Sequence, residues 1–169
     1  VTFMDEYSRM VWIYPIRRKS EALEKFKVWK SKVETETSLK ISSLRSDNGG
    51  EYVSQEFTEF LEQEGIEHEL TVPRTPQQNG MAERLNRTIL EMVRSVMDES
   101  GLPKQFWAEL AAAATYVRNR CSSQSLNGDI PIKRWSGKLP NLESLKRLGC
   151  TAYVLKQDTS DKLESKAMK

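Results

Sequence analysis

The strongest constraint on how this chain can fold lies between Asp47 and Glu83, two carboxylates with 35 residues between them. The first closes the run LRSDNGGEY, and the second stands in PRTPQQNGMAERLNRTI. A strand ending in Asp47, followed by Asn48-Gly49-Gly50, presents its side chain at the carboxyl end of the strand, the edge where sheets flanked by helices bind ligands. The Pro/Gln/Gly stretch reads as a loop, and a helix starting near Gly80 places Glu83 in its first turn, where the helix dipole favours an anion. Bringing both acids to one point requires a strand and a helix from distant parts of the chain to converge. Hard divalent cations that serve phosphodiester chemistry need such converging anionic oxygens.

The chain has 169 residues, the size of one domain with a core that needs no disulfides. Its net charge of +2 does not announce nucleic acid by itself, so any basic signal is local. Residues 133–169 hold nine Lys or Arg against four Asp or Glu, which makes the tail the basic end. Cys121, Cys150 and the single histidine, His68, fall short of a zinc ligand set. No apolar run reaches the roughly 18 residues of a membrane span. Val1 opens inside a strand-like run without an initiator Met, as expected of an excised piece of something longer.

Residues 1–7 (VTFMDEY) and 10–16 (MVWIYPI) read as a hairpin around Ser8-Arg9. Beyond the basic Arg17-Arg18-Lys19, Ser20 is placed to cap a helix with Ala22, Phe26, Trp29 and Val33 on one face. Residues 40–46 form the strand that delivers Asp47. Ser54 caps a short helix bearing Phe57, Phe60 and Leu61, which Gly65 stops. Ile66, His68, Leu70 and Val72 then alternate with polar residues as a half-buried strand ended by Pro73. From Met81 the set Leu85, Ile89, Met92, Val93 and Val96 keeps helical spacing. At about 100° per residue, Glu83, Arg87 and Arg94 share the opposite face. Residues 104–120 form a second, alanine-rich helix, followed by polar turns, a last strand at 151–155 and a frayed end. The aromatics Trp12, Trp29, Phe57, Phe60, Trp107 and Trp135 are expected mostly in the core, with His68 packed among them.

Asp47-Asn48-Gly49-Gly50-Glu51-Tyr52, the interval, and Pro76-Gln77-Gln78-Asn79-Gly80-Met81-Ala82-Glu83-Arg84 together resemble the catalytic core of retroelement integrases, most closely those of copia-type long-terminal-repeat retrotransposons. Phe106-Trp107-Ala108-Glu109, Pro131, Trp135, Pro140-Asn141-Leu142 and Gly149-Cys150 extend the likeness through the tail. The resemblance implies an α/β, ribonuclease H-like mixed sheet flanked by helices. It divides the chain into a catalytic core over 1–100 and a helical, irregular C-terminal extension over 101–169.

It further implies a DDE-type polynucleotidyl transferase that joins element DNA ends to target DNA using two Mg²⁺ or Mn²⁺ ions. Asp47 and Glu83 are then catalytic metal ligands, and Asn48, Gln77, Asn79 and Arg87 are DNA contacts. The first aspartate of such sites lies on a central strand that would precede Val1, so this piece alone is expected to be inactive and its hairpin to lack its neighbour. Asp5 falls on the second strand, directed away from the metals. The parent is expected to be a homo-oligomer acting in the nucleus after a cytoplasmic particle stage, neither secreted nor membrane-bound. Other readings are a nuclease or transposase on the same fold, or a non-catalytic DNA-binding or assembly module from a decayed or host-adopted element. Asp47 as a turn cap, Glu83 as a surface partner of Arg87 and Glu51 as a turn residue are the plain structural alternatives.

Overall fold

The computed structural model describes residues 1–71, 76–143, 145–151, 153–155 and 167–168, with the side chains of residues 76–79, 154–155 and 167–168 outside that description. An antiparallel hairpin opens the fold, β1 (Thr2–Met4) pairing with β2 (Val11–Ile13) so that Phe3 faces Trp12. Both strands are shorter than the apolar runs suggested. Asp5 ends β1, because its carboxylate accepts the Ser8 N–H at 2.7 Å and the Ser8 hydroxyl at 2.6 Å and so starts the turn. Pro15, which has no N–H to donate, follows soon after β2.

Helix α1 (Ala22–Thr37) buries Ala22, Phe26, Trp29 and Val33, the stripe read from the sequence. Ser20 does not cap it. A 3₁₀ turn, Lys19–Glu21, leads in instead, held by the Glu21 carboxylate accepting the Arg18 N–H at 2.9 Å. Strand β3 (Ser43–Ser46) delivers Asp47. Helix α2 (Gln55–Glu64) is capped by the Ser54 hydroxyl, which accepts the Phe57 N–H, and stops at Gly65, whose φ of 69° is left-handed. Phe3, Trp12, Phe26, Trp29, Phe57 and Leu61 form one core cluster. Fully burying a side chain such as Phe26 or Phe57 contributes about 1.5–3 kcal/mol.

Strand β4 (Glu67–Leu70) pairs with β3 in parallel, His68 opposite Leu44. Its expected alternation fails at Leu70, which is 45% exposed, while Thr71 is buried. Phe57 of α2 stacks on His68 at 6.2 Å and covers the start of the strand, but the end of β4 runs past that cover. Val72 and Pro73 lie outside the described residues.

Helix α3 (Pro76–Ser100) begins earlier than the sequence suggested: Pro76 is pre-set for a first helical position and Gln77-Gln78 continue it, which outweighs the roughly 1 kcal/mol cost of Gly80. Leu85, Ile89 and Val93 pack with Val11 and with Leu110, Ala111 and Ala114 of α4 (Trp107–Arg118) in a second core cluster. The small alanines bring the helices close. Sequence reasoning had a short apolar run between polar turns where α5 (Pro131–Ser136) forms with Pro131 in its first turn. Its Trp135 packs edge-on against Trp12 at 4.8 Å and donates to Glu36 at 2.9 Å. Strands β5 (Val154–Leu155) and β6 (Ala167–Met168) pair antiparallel, so part of the expected frayed end is ordered into a strand.

The hairpin and the β3–β4 pair are separate two-stranded sheets. Val1 exchanges both hydrogen bonds with Tyr14, and Asp5 donates to Met10, so by alternation the backbone groups of Thr2 and Met4 point away from β2. Ser42 and Ser46 accept from Glu67 and Thr71, so those of Ser43 and Arg45 point away from β4. These two inner edges have no strand partner among the described residues. The outer edge of the hairpin is paired at Val11: the buried Asn119 amide accepts the Val11 N–H at 3.0 Å and donates to the Val11 carbonyl at 2.7 Å, and Arg118 donates to the Arg9 carbonyl.

Charge joins the first core cluster to β3. Lys30, 10% exposed, pairs with Glu34 at 2.9 Å and with Glu64 of α2 at 2.8 Å, while Glu34 also takes Lys40 and the Ile41 N–H. Burial opposes ionisation of Glu34, but Lys30, the Ile41 N–H and Lys40 outweigh it and hold its pKa at about 2. A depressed carboxyl pKa contributes stability that is fully present above about pH 4.5 and is lost as pH falls toward 2. Glu34→Gln is therefore expected to be less stable than wild type at neutral pH, with a flatter loss between pH 4.5 and 2. Urea denaturation across that range checks it; parallel stability curves would show that Glu34 does not carry the effect.

Candidate metal and nucleic-acid site

A cleft of about 900 Å³ separates the two sheets. One wall is the inner edge of β1 with Asp5 and Glu6, another is β3 with Asp47 and Tyr52, and α3 supplies Met81, Ala82, Glu83, Leu85, Asn86, Ile89 and Leu90. Trp107, expected in the core, is 46% exposed and lines the same space, because the 3₁₀ turn Lys104–Phe106 brings it in at the start of α4 rather than within its buried face.

Asp47 projects at the carboxyl end of β3 and is exposed. Its Oδ1 accepts the Gly49 N–H at 3.0 Å, so the turn-cap role and an outward-facing carboxylate coexist. The turn is crowded at Gly49: a Cβ there would stand 2.9 Å from both Asp47 Oδ1 and Glu51 Oε2 and would push the two carboxylates aside. The two carboxylates thus flank one small volume beside Gly49. Glu51 is held from the other side by Lys19, at 3.2 Å, and its carboxyl lies below the usual range, chiefly through a backbone hydrogen bond. Asn48 turns inward, its amide donating to the Thr71 carbonyl at 2.7 Å and locking the turn to the end of β4.

Glu83 is exposed on α3 and stands in the same cleft as Asp47. It belongs to the second turn and beyond rather than the first, so the helix dipole, which fades within one turn, does little for it. Arg87 is exposed but outside the cleft lining, where Asn86 and Leu90 stand instead. Gln77 and Asn79 belong to the first turn of α3 by their backbone, not to a loop, and their side chains lie outside the described residues. Asp5 also lines the cleft, and its Oδ2 accepts from the Ser8 N–H and hydroxyl. His68 is half-buried, bonded to Ser46 Oγ at 2.9 Å, and burial lowers its pKa.

Two exposed carboxylates on one cleft are hard oxygen donors of the kind Mg²⁺ or Mn²⁺ accepts while retaining waters. Among the described residues no cluster of three or more His, Cys, Asp or Glu is gathered at one point. Asp47 and Glu83 both line the cleft, and their carboxylates are of the chemical type such a donor set uses. The sequence reading overlooked the neighbours that shape it: Lys19 and Tyr52 by position alone, and Asn86, whose place three residues after Glu83 on a helix was a usable signal.

A model of the Integrase core domain family matches residues 1–76, a stretch that includes Asp47 and stops short of Glu83. Over 169 residues, 99% of the chain, it is 44% identical to the Retrovirus-related Pol polyprotein from transposon TNT 1-94 of Nicotiana tabacum, and over 168 residues 37% identical to that from transposon RE2 of Arabidopsis thaliana. The chain belongs to the retrotransposon integrases. It spans 13% and 11% of the length of those two relatives. Integrase structures share its ribonuclease H-like fold. A simian T-cell lymphotropic virus intasome chain superposes with a TM-score of 0.67 at 21% identity, over 99% of this chain and 59% of that one. The HTLV-2 integrase catalytic core in complex with magnesium gives 0.58 at 20%, over 78% and 80%.

Within this integrase chain, Tyr52 reports on the acids beside it. Its pKa is pushed up to about 12, first by burial and then by the charges of Glu51 and Asp47. Asp47→Asn and Glu51→Gln should each lower it while leaving it above 10, since burial remains. Tyrosine-resolved NMR titration measures this. An unmoved Tyr52 in both variants would separate it from the two carboxylates.

Proposed function

We propose that the chain is the larger part of the integrase core of a copia-type retrotransposon and that its parent joins element DNA ends to target DNA. The observation that carries this is the presence of Asp47 and Glu83 on the walls of one cleft, between two strand edges that both lack a partner among the described residues. An extended segment lying in that cleft could pair with β1 on one side and β3 on the other, and the strand bearing the family's first aspartate suits it. The third carboxylate would then enter beside Asp47.

In this reading the Gly49 N–H holds Asp47 Oδ1 and leaves the outer oxygen of the carboxylate for a cation. Asn48 fixes the turn, and Glu83, on a helix anchored from behind by Leu85, Ile89 and Val93, faces across. A pair of Mg²⁺ or Mn²⁺ ions held by these acids would supply charge stabilisation to the attacked and departing oxygens of a phosphodiester. The HTLV-2 neighbour, described in complex with magnesium, supports that choice of ion, and the intasome neighbour supports DNA and further protomers as partners. Asn48, Gln77, Asn79 and Arg87 are assigned to DNA contact, Asn48 through its backbone and free amide oxygen. The nucleus is the compartment of the active parent. Contacts of this kind read backbone more than sequence, so target preference is weak.

In the complete protein, Asp47→Asn or Glu83→Gln should reduce strand joining at least about 100-fold, since even residues supporting metal ligands cost 10–100-fold when lost. Circular dichroism should be unchanged, both side chains being exposed. The 169-residue chain alone should join no DNA with either ion. Retained activity in the variants removes the acids from the site, and joining by the isolated chain refutes the need for a further strand.

A further inference from the structure

Arg17, Arg18 and Lys19 form three consecutive cations between β2 and α1, and all are exposed. Lys19 is committed: 80% exposed itself, it reaches Glu51, whose side chain is only 15% exposed. Glu51 in turn shares the volume at Gly49 with the Asp47 carboxylate. The Lys19–Glu51 pair therefore moors the basic run beside the loop that presents Asp47.

The surrounding acids are already answered. Arg45 sits between Glu69, at 2.7 Å, and Glu6, at 3.4 Å. Glu21, the nearest acid on the same turn, takes the Arg18 backbone N–H, and Glu24 pairs with Lys25. Arg17 and Arg18 enter no ion pair among the described residues. A phosphodiester approaching Asp47 and Glu83 meets two like charges, so a polyanion needs cations at the border of the cleft to dwell there. Arg17 and Arg18 adjoin Lys19, which reaches Glu51 beside Asp47, and have no counter-charge among the described residues; guanidinium groups suit phosphate oxygens.

We propose that Arg17 and Arg18 bind the phosphate backbone of duplex DNA, set beside Asp47 by the Lys19–Glu51 pair. The proposal rests on the DNA-joining function above. Two such contacts act without regard to sequence and show in the salt dependence of binding.

The test is fluorescence anisotropy of a labelled duplex of arbitrary sequence, titrated with the 169-residue chain over a range of NaCl concentrations. The variants are Arg17→Ala/Arg18→Ala and a control of equal charge loss, Lys32→Ala/Lys138→Ala. Lys32 lies about 20 Å along α1 from Lys19 at 1.5 Å per residue, and Lys138 follows α5, which packs by Trp135 against Glu36 near the far end of α1. The first variant should bind roughly tenfold more weakly at low salt, with a log–log salt slope shallower by about 1.8, close to 0.9 per phosphate contact. The control should keep the wild-type slope. Binding by wild type with equal slopes in both variants overturns the proposal and leaves the DNA-joining function standing; no binding by wild type also overturns the proposal, while strand joining by the complete protein decides that function separately.

Discussion

Backbone hydrogen bonding at strand edges governs this structure more than any single side chain. A buried or half-buried strand must place its N–H and C=O groups somewhere, and an edge that is left open is a surface waiting to be paired. The hairpin solves the problem on one side only. Asn119 presents to Val11 the same donor and acceptor that another strand would offer, so that edge is paired at Val11 from within the chain. On the other side Thr2 and Met4 face the cleft, and across it Ser43 and Arg45 face back.

The cleft and the candidate site are consequences of that asymmetry. Two core clusters, one centred on Phe26 and Phe57 and the other on Leu85, Ile89 and Ala111, hold the sheets from outside. The Lys30–Glu34–Glu64 ion network ties α1 to α2 and to the chain entering β3. With both sheets anchored, the gap between them stays open, and the acids at the end of β3 and on α3 are left projecting into it. The site is thus assembled by packing that occurs away from it.

Sequence periodicity was a good guide where one face packs against a continuous core. The stripe on α1 and that on α3 were legible because Phe26, Trp29, Leu85, Ile89 and Val93 recur at helical spacing and meet buried partners. It misled where burial is partial: Leu70 emerges because α2 covers only the start of β4, and Trp107 looks into the cleft. Helix ends were misplaced when propensity competed with punctuation, as at Pro76, where Gly80 suggested a boundary that the preceding residues overrode. The Asp47 and Glu83 motifs were readable by type and order. The Lys19–Glu51 contact was not, since no local pattern joins residues 32 positions apart.

Amide hydrogen exchange on the isolated chain tests the open-slot account most directly. Phe3 and Trp12, paired within the hairpin, and Val11, held by Asn119, should be protected, while Thr2, Met4, Ser43 and Arg45 exchange at rates near those of unstructured chain. Strong protection at those four amides would mean that the inner edges are already paired, and an open slot between them would no longer account for the cleft that Asp47 and Glu83 line.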